Sequence, residues 1–245
     1  MSMHAPRPID LISRRAALAT LASVLAVVAC ACGERAANDV PAPYADAFDE
    51  LSAFIEAEMA AKELDAVSIA LVDDQRTIWS AGFGLARPAD SVAATGTTVH
   101  RVGSVSKLFT DIAVVQRVEA GEIDLDAPVT AVLPDFAPDN PHGAPITLRQ
   151  LMSHRAGLVR EPPVGHYFDD TSPTLEATVA SLNDTRLIYA PGERTKYSNA
   201  GIAVVGRVLE RLAGQPFAGA LEEAVLRPAG LERSSFEPRP DLMQD

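Results

Sequence analysis

The sequence predicts an α+β fold, a pair of antiparallel strands followed by a block of helices. Three observations predict it. The run Val67-Ser68-Ile69-Ala70-Leu71-Val72, the polar turn Asp73-Asp74-Gln75 and the return Thr77-Ile78-Trp79 read as a hairpin. From residue 104 onward, apolar residues recur at helical spacing between loops rich in Gly and Pro. The 245 residues are 47% hydrophobic and 22% charged, which excludes a disordered or collagen-like chain and supports a buried core.

The amino terminus reads as an export signal. Ala16 to Ala29 is an apolar stretch preceded by Arg7, Arg14 and Arg15. It is too short to span a bilayer but suits a signal peptide over residues 1–30. Ser13-Arg14-Arg15 resembles a twin-arginine signal, and Val27-Val28-Ala29-Cys30 resembles a bacterial lipobox. On that reading Cys30 is diacylated and tethers an exported protein to the membrane surface of the periplasm or cell envelope. The alternative is an ordinary cleaved signal. Residues 31–43 are small, polar and Pro-containing and read as a tether to a domain over 44–245.

Phe48, Leu51, Phe54, Ile55 and Met59 predict an amphipathic helix from about 44 to 63. The run 67–72 then predicts a buried strand, and 77–79 its partner. Gly82 and Gly84 follow, but Arg87 stands where a dinucleotide loop needs its third Gly, which excludes that motif. A helix from Ser104 to Ala120 is closed by Gly121. Thr147-Leu148-Arg149-Gln150 matches a capping box opening a short helix. Ala200 to Ala213 is a further helix closed by Gly214, and Pro216 suits the first residue of the next, running to about Leu226. Residues 134–145 and 161–173 read as loops.

Composition narrows the function. With 21 Lys+Arg against 33 Asp+Glu the net charge is −12, and cleavage before Cys30 makes it −14, a poor match to a phosphate backbone. Nucleic acid is therefore not an expected partner. Cys30 and Cys32 are the only cysteines, so the folded part has no disulfide. His142, His154 and His166 lie twelve apart, which is no metal-ligand spacing, and neither a metal nor a cofactor is expected.

The basic residues are 18 Arg and three Lys, namely Lys62, Lys107 and Lys196. A Lys is chemically required where an amine must lose or share a proton, which Arg cannot do. In Ser104-Val105-Ser106-Lys107 the hydroxyl and amine lie one helical turn apart on one face, so the amine can help remove the hydroxyl proton. The bland alternative is a Ser104 that caps a helix beside a solvated Lys107. Tyr197-Ser198-Asn199 supplies a phenol that a nearby ammonium would acidify, fit for a general base, and an amide able to orient a substrate carbonyl. Here the alternative is a helix cap at Asn199. Lys196 reads as a surface residue.

Together these segments resemble the serine β-lactamase and penicillin-binding-protein superfamily, in its class C-like branch. Arg101-Val102-Gly103-Ser104-Val105-Ser106-Lys107 resembles the nucleophile segment, and 121–129 the stretch after it. Ile146 to His154 with Gly157-Leu158, and Pro191-Gly192-Glu193 leading to Tyr197-Ser198-Asn199-Ala200-Gly201, resemble two more. Order and spacing agree from about residue 48 to 236. The resemblance implies a helical block beside an antiparallel sheet. Ser104 would be the acylated nucleophile, Lys107 and Tyr197 would share its activation, and Asn199 would contact the substrate amide. The substrate would be a β-lactam, a D-amino-acid peptide or an ester.

The third family motif, Lys-Thr-Gly or His-x-Gly, finds no match between Asn199 and Asp245. The later strands and last helix of the family fold are thus expected to be missing. Losing one oxyanion donor costs about 2.7–4 kcal/mol in the transition state, so weak activity or none is expected of this chain. The competing expectations are a membrane-tethered module that binds cell-wall peptides without catalysis, and an inactive fragment.

Overall fold

The computed structural model describes residues 44–243, so the signal segment, Cys30 and the tether lie outside the described residues. The described residues divide into two compact units, the first ending at Thr98 and the second beginning at Val99.

The first unit contains helix α1 (Ala45–Lys62), strands β1 (Ala66–Asp73) and β2 (Arg76–Arg87), and the short β3 (Val92–Ala93). Phe48 and Met59 of α1 are buried, and Phe48 stacks on Trp79 of β2 with ring centroids 5.0 Å apart. Phe54, expected on the same apolar stripe, is exposed. At 100° per residue it lies about 120° round the helix from Phe48, whereas residues 55 and 59 return to the stripe. The hairpin turns on Asp74 and Gln75, both at positive φ (44° and 65°), as a two-residue turn matched to strand twist requires.

Two expectations for the sheet need correction. β2 does not end at Trp79 but continues through both glycines, pairing Gly84 with Ala66, and its far end pairs with β3 to give the order β1-β2-β3. Gly82 serves close approach, since a Cβ there would sit 2.3 Å from the backbone of Ala94 and Thr95. Nor is 67–72 a buried strand: its residues are half-buried at most, and Ala70 is exposed. The register shifts between Leu71 and Val72, re-aiming the strand end, and Val72 is exposed.

The second unit is the helical block: α2 (Ser106–Glu119), α3 (Leu148–Met152), α4 (Leu175–Ser181), α5 (Asn199–Ala213) and α6 (Phe217–Leu221). A 3-10 turn, Gly103–Val105, precedes α2, so Ser104 stands just ahead of the helix. The capping box at Thr147 forms in full, with Gln150 and Thr147 each bonding the other's backbone N–H. α4 was not anticipated; Thr174 caps it by accepting from the Ala177 N–H. The cap of α5 is Ser198 and not Asn199, and Gly214 ends the helix at φ 65°. Pro216 precedes α6 as its cap, and a π-helical turn, Glu222–Leu226, completes the run to Leu226.

Helix α5 is the centre of this unit. Ala200, Val204, Val205 and Val208 are fully buried and share a core with Val114 of α2, Leu151 of α3, Leu182 and Leu221. α2 turns Ala113 and Val114 inward, while Leu108, Ile112 and Val115 are exposed. Because the start of α5 is fixed by burial on one side and by its cap on the other, Tyr197, Ser198 and Asn199 are held in place.

Candidate active site

Ser104 makes no capping bond; its hydroxyl is engaged elsewhere. Its Oγ lies 2.5 Å from the Tyr197 hydroxyl and accepts a hydrogen bond from Lys107 Nζ at 3.1 Å. The turn-then-helix geometry sets the Ser104 and Lys107 side chains on one face, as a spacing of three requires. The Lys107 amine also lies 5.0 Å from the centroid of the Tyr197 ring. Hydroxyl, amine and phenol therefore meet at one point, although Tyr197 is 93 positions from Ser104.

Tyr197 arrives on a strap tied to the segment after α3. Lys196 N–H donates to the His154 carbonyl at 2.8 Å, and Ser198 N–H donates to His154 Nδ1 at 3.3 Å. Ser198 Oγ donates to the Val159 carbonyl at 2.7 Å and accepts from Gly201 N–H at 2.8 Å. The backbone N–H groups of Asn199 and Ala200 both donate to the Arg160 carbonyl. Upstream, Gly192 N–H donates to the Arg155 carbonyl at 2.8 Å, and the Arg155 guanidinium donates back to the Gly192 carbonyl. His154, whose spacing from His142 and His166 is no metal-ligand pattern, packs its ring on Tyr197 with centroids 4.5 Å apart. Burial, then the charge of Lys107, holds its imidazole below the ordinary histidine value, which favours the neutral form whose Nδ1 accepts from Ser198.

The phenol is acidified. Hydrogen bonding from Lys107, then from Ser104, followed by the charges of Lys107 and Arg160, brings Tyr197 below its ordinary value of 10. The Arg160 guanidinium sits 5.5 Å from the Tyr197 ring centroid. Asn199 Nδ2 donates to Glu161 Oε1 at 2.6 Å. Ser104, Arg160, Glu161, Tyr167, Phe168, Tyr197 and Asn199 line one open cleft of about 660 Å³, a size that suits small molecules. Sequence reasoning missed Arg160, Glu161, Tyr167 and Phe168, which fall in or beside a stretch read only as a loop; no spacing marks them. Lys196 is half-buried, with its amine 5.9 Å from the Tyr189 ring centroid. Among the described residues no group of three or more His, Cys, Asp and Glu side chains could hold a metal ion.

A hydroxyl bonded to both an amine and a phenol in an open cleft has the geometry that acyl transfer requires. Residues 51–244 match the family model described as Beta-lactamase. The chain belongs to the β-lactamase family. Among its relatives is the D-alanyl-D-alanine-carboxypeptidase/endopeptidase AmpH of Escherichia coli strain K12, 29% identical over 178 residues, which cover 71% of this chain and 46% of AmpH. Esterase EstB of Burkholderia gladioli is 34% identical over 152 residues, 57% of this chain and 38% of the esterase. The structure of the octameric penicillin-binding protein homologue from Pyrococcus abyssi superposes with a TM-score of 0.71 at 27% identity, covering 81% of this chain and 46% of that one. This family member thus has the expected α+β, β-lactamase and penicillin-binding-protein-like fold. It spans less than half the length of the curated relatives it matches.

Proposed function

We propose that the chain is a serine hydrolase of the class C-like branch of its superfamily, acting on a β-lactam, a D-amino-acid peptide or an ester through an acyl-enzyme on Ser104. The observation that carries this reading is the approach of the Ser104 hydroxyl to both Tyr197, at 2.5 Å, and Lys107, at 3.1 Å. Tyr197, acidified by Lys107, takes the Ser104 proton as Oγ bonds to the substrate carbonyl carbon. The negative charge that develops on the carbonyl oxygen lies near the amino-terminal end of α2, whose dipole favours it. Collapse of the tetrahedral intermediate breaks the C–N or C–O bond, and Tyr197 returns the proton to the leaving group. Water then attacks the acyl-Ser104 ester by the same route in reverse, releasing the acid and restoring the hydroxyl. Asn199 orients the acyl portion. The apolar stretch before Cys30 supports a location in the cell envelope, anchored by lipid at Cys30.

The test is incubation with a fluorescent penicillin followed by intact-mass measurement and peptide mapping. The expected result is one adduct on the peptide containing Ser104, absent from Ser104→Ala. Absence of any adduct, together with absence of short-chain ester turnover, would overturn the reading.

A further inference from the structure

We propose that Glu161 and Asn199 form a subsite for a protonated amine, so that preferred acyl donors carry a free amino group beside the scissile carbonyl. Amino-acid esters and amides, and peptides with an unblocked amino terminus, are the class. The inference rests on the serine-hydrolase reading above and deepens it.

Glu161 is the one acidic residue among those lining the Ser104 cleft. Its side chain is 33% exposed, open to a ligand yet partly withdrawn from water. Its place is fixed from two sides: Asn199 Nδ2 donates to Oε1 at 2.6 Å, and the backbone of Asn199 and Ala200 clamps the adjoining Arg160 carbonyl. A carboxylate offers about four lone-pair sites on two oxygens, so the bond to Asn199 leaves acceptor capacity at the cleft. With one N–H of its amide committed to Glu161, Asn199 adds a carbonyl oxygen, a second acceptor.

Two acceptors, one a carboxylate, complement an ammonium group, which has three donors and no acceptor. An N-acylated substrate offers one uncharged N–H in place of three donors on a cation, and it brings a carbonyl oxygen toward the carboxylate, where the second N–H of the Asn199 amide is the one donor this pair has left. Arg160 compensates Glu161 weakly. Its Nε is 3.5 Å from Oε1, its side chain is 67% exposed, and its guanidinium faces the Tyr197 ring. The cleft is also lined by Tyr167 and Phe168, 83% and 87% exposed and packed edge to face at 5.1 Å between centroids. Two aromatic rings displayed to solvent beside an amine subsite fit the side chain of an apolar amino acid.

The experiment compares phenylalanine methyl ester, of each hand, with its N-acetyl counterpart on the full chain. It runs at about pH 6.5, where an α-amino group is protonated. For at least one hand, the free-amine ester is expected to show a kcat/KM about tenfold or more above its acetylated form, and Glu161→Gln to erase most of that ratio. A ratio of one or less in the unaltered protein for both hands overturns the proposal, as does a ratio that Glu161→Gln leaves intact. Ligand-observed NMR with phenylalanine amide against N-acetylphenylalanine amide reads the same preference without turnover. Absence of both a Ser104 penicillin adduct and p-nitrophenyl acetate hydrolysis would sink the hydrolase reading while this binding comparison still judges the subsite. Hydrolysis without amine preference sinks the subsite alone.

Discussion

Ser198 Oγ donates to the Val159 carbonyl while accepting from the Gly201 N–H, so one buried hydroxyl caps α5 and pins the start of that helix to the segment before Glu161. Tyr197 and Asn199 flank this anchor on either side. Replacing Ser198 with Ala removes a helix cap worth about 1 kcal/mol and strands a carbonyl at a further cost of about 1–3 kcal/mol. Urea denaturation of Ser198→Ala is expected to show a loss of about 2 kcal/mol or more. Ester turnover should fall as well, because the phenol loses its fixed approach to Ser104. Unchanged stability would mean that the cap is dispensable and that the core alone orients α5.

The acidified phenol gives a pH signature. Lys107, Ser104 and Arg160 all favour the phenolate, so Tyr197 titrates below 10 and its contribution to stability is complete above the unfolded value. That contribution is lost as pH falls through the folded value, and turnover should decline along the same limb. Absorbance near 295 nm, followed against pH, is expected to resolve a phenol that ionises below the ordinary tyrosine value and is lost in Tyr197→Phe. Arg160→Gln should move that midpoint upward, and Lys107→Met further upward. A midpoint insensitive to Lys107→Met would separate the amine from the phenol.

Much of this arrangement is legible in the sequence, and the rest fails for identifiable reasons. Ser104 and Lys107 are neighbours through a local spacing, which any helical start enforces. The hairpin is visible because its turn residues and apolar runs are contiguous. Helix α4, only seven residues long, follows Pro173 and shows too few periods to stand out. β3, with two residues, has no pattern at all. α2 is apolar on its exposed side, at Leu108, Ile112 and Val115, as well as its buried one, so periodicity places the helix but not its inward face. Glu161 is recognisable only in three dimensions, through its bond to a residue 38 positions away.

Gly157 occupies φ 79°, and a Cβ there would stand 2.1 Å from the Tyr189 carbonyl oxygen, on the strand of chain that leads to Tyr197. Gly157→Ala therefore combines left-handed strain of about 1–3 kcal/mol with a backbone clash that only movement of residue 189 can relieve. That displacement breaks the 2.8 Å bond from Ile188 N–H to the Gly157 carbonyl. The expected outcome is a thermal midpoint lowered by several degrees and turnover reduced beyond what lost folding explains. A variant as stable and active as the unaltered chain would show that the two segments are loosely coupled.

The aromatic rim depends on a third anchor. Asp169 accepts from the Thr171 hydroxyl at 2.6 Å, from Gly165 N–H at 2.7 Å and from Thr171 N–H at 3.0 Å. These bonds, the Thr171 hydroxyl foremost, pull its pKa down to about 2. Since the folded value lies below the unfolded 3.8, the loop's stabilisation is complete above that unfolded value and disappears as pH falls toward about 2. The loop should thus hold its shape at a pH where an ordinary carboxylate is half protonated. Removing the carboxylate outright, in Asp169→Ala, should free Tyr167 and Phe168 at neutral pH. Chymotrypsin cuts after aromatic residues, so nicking at these two positions reads loop opening directly, and it should accelerate several-fold in the variant. KM for aromatic substrates should rise with it. Equal nicking rates in both proteins would mean that packing against Pro173 and Thr178, which crowd Gly165, holds the loop without the aspartate.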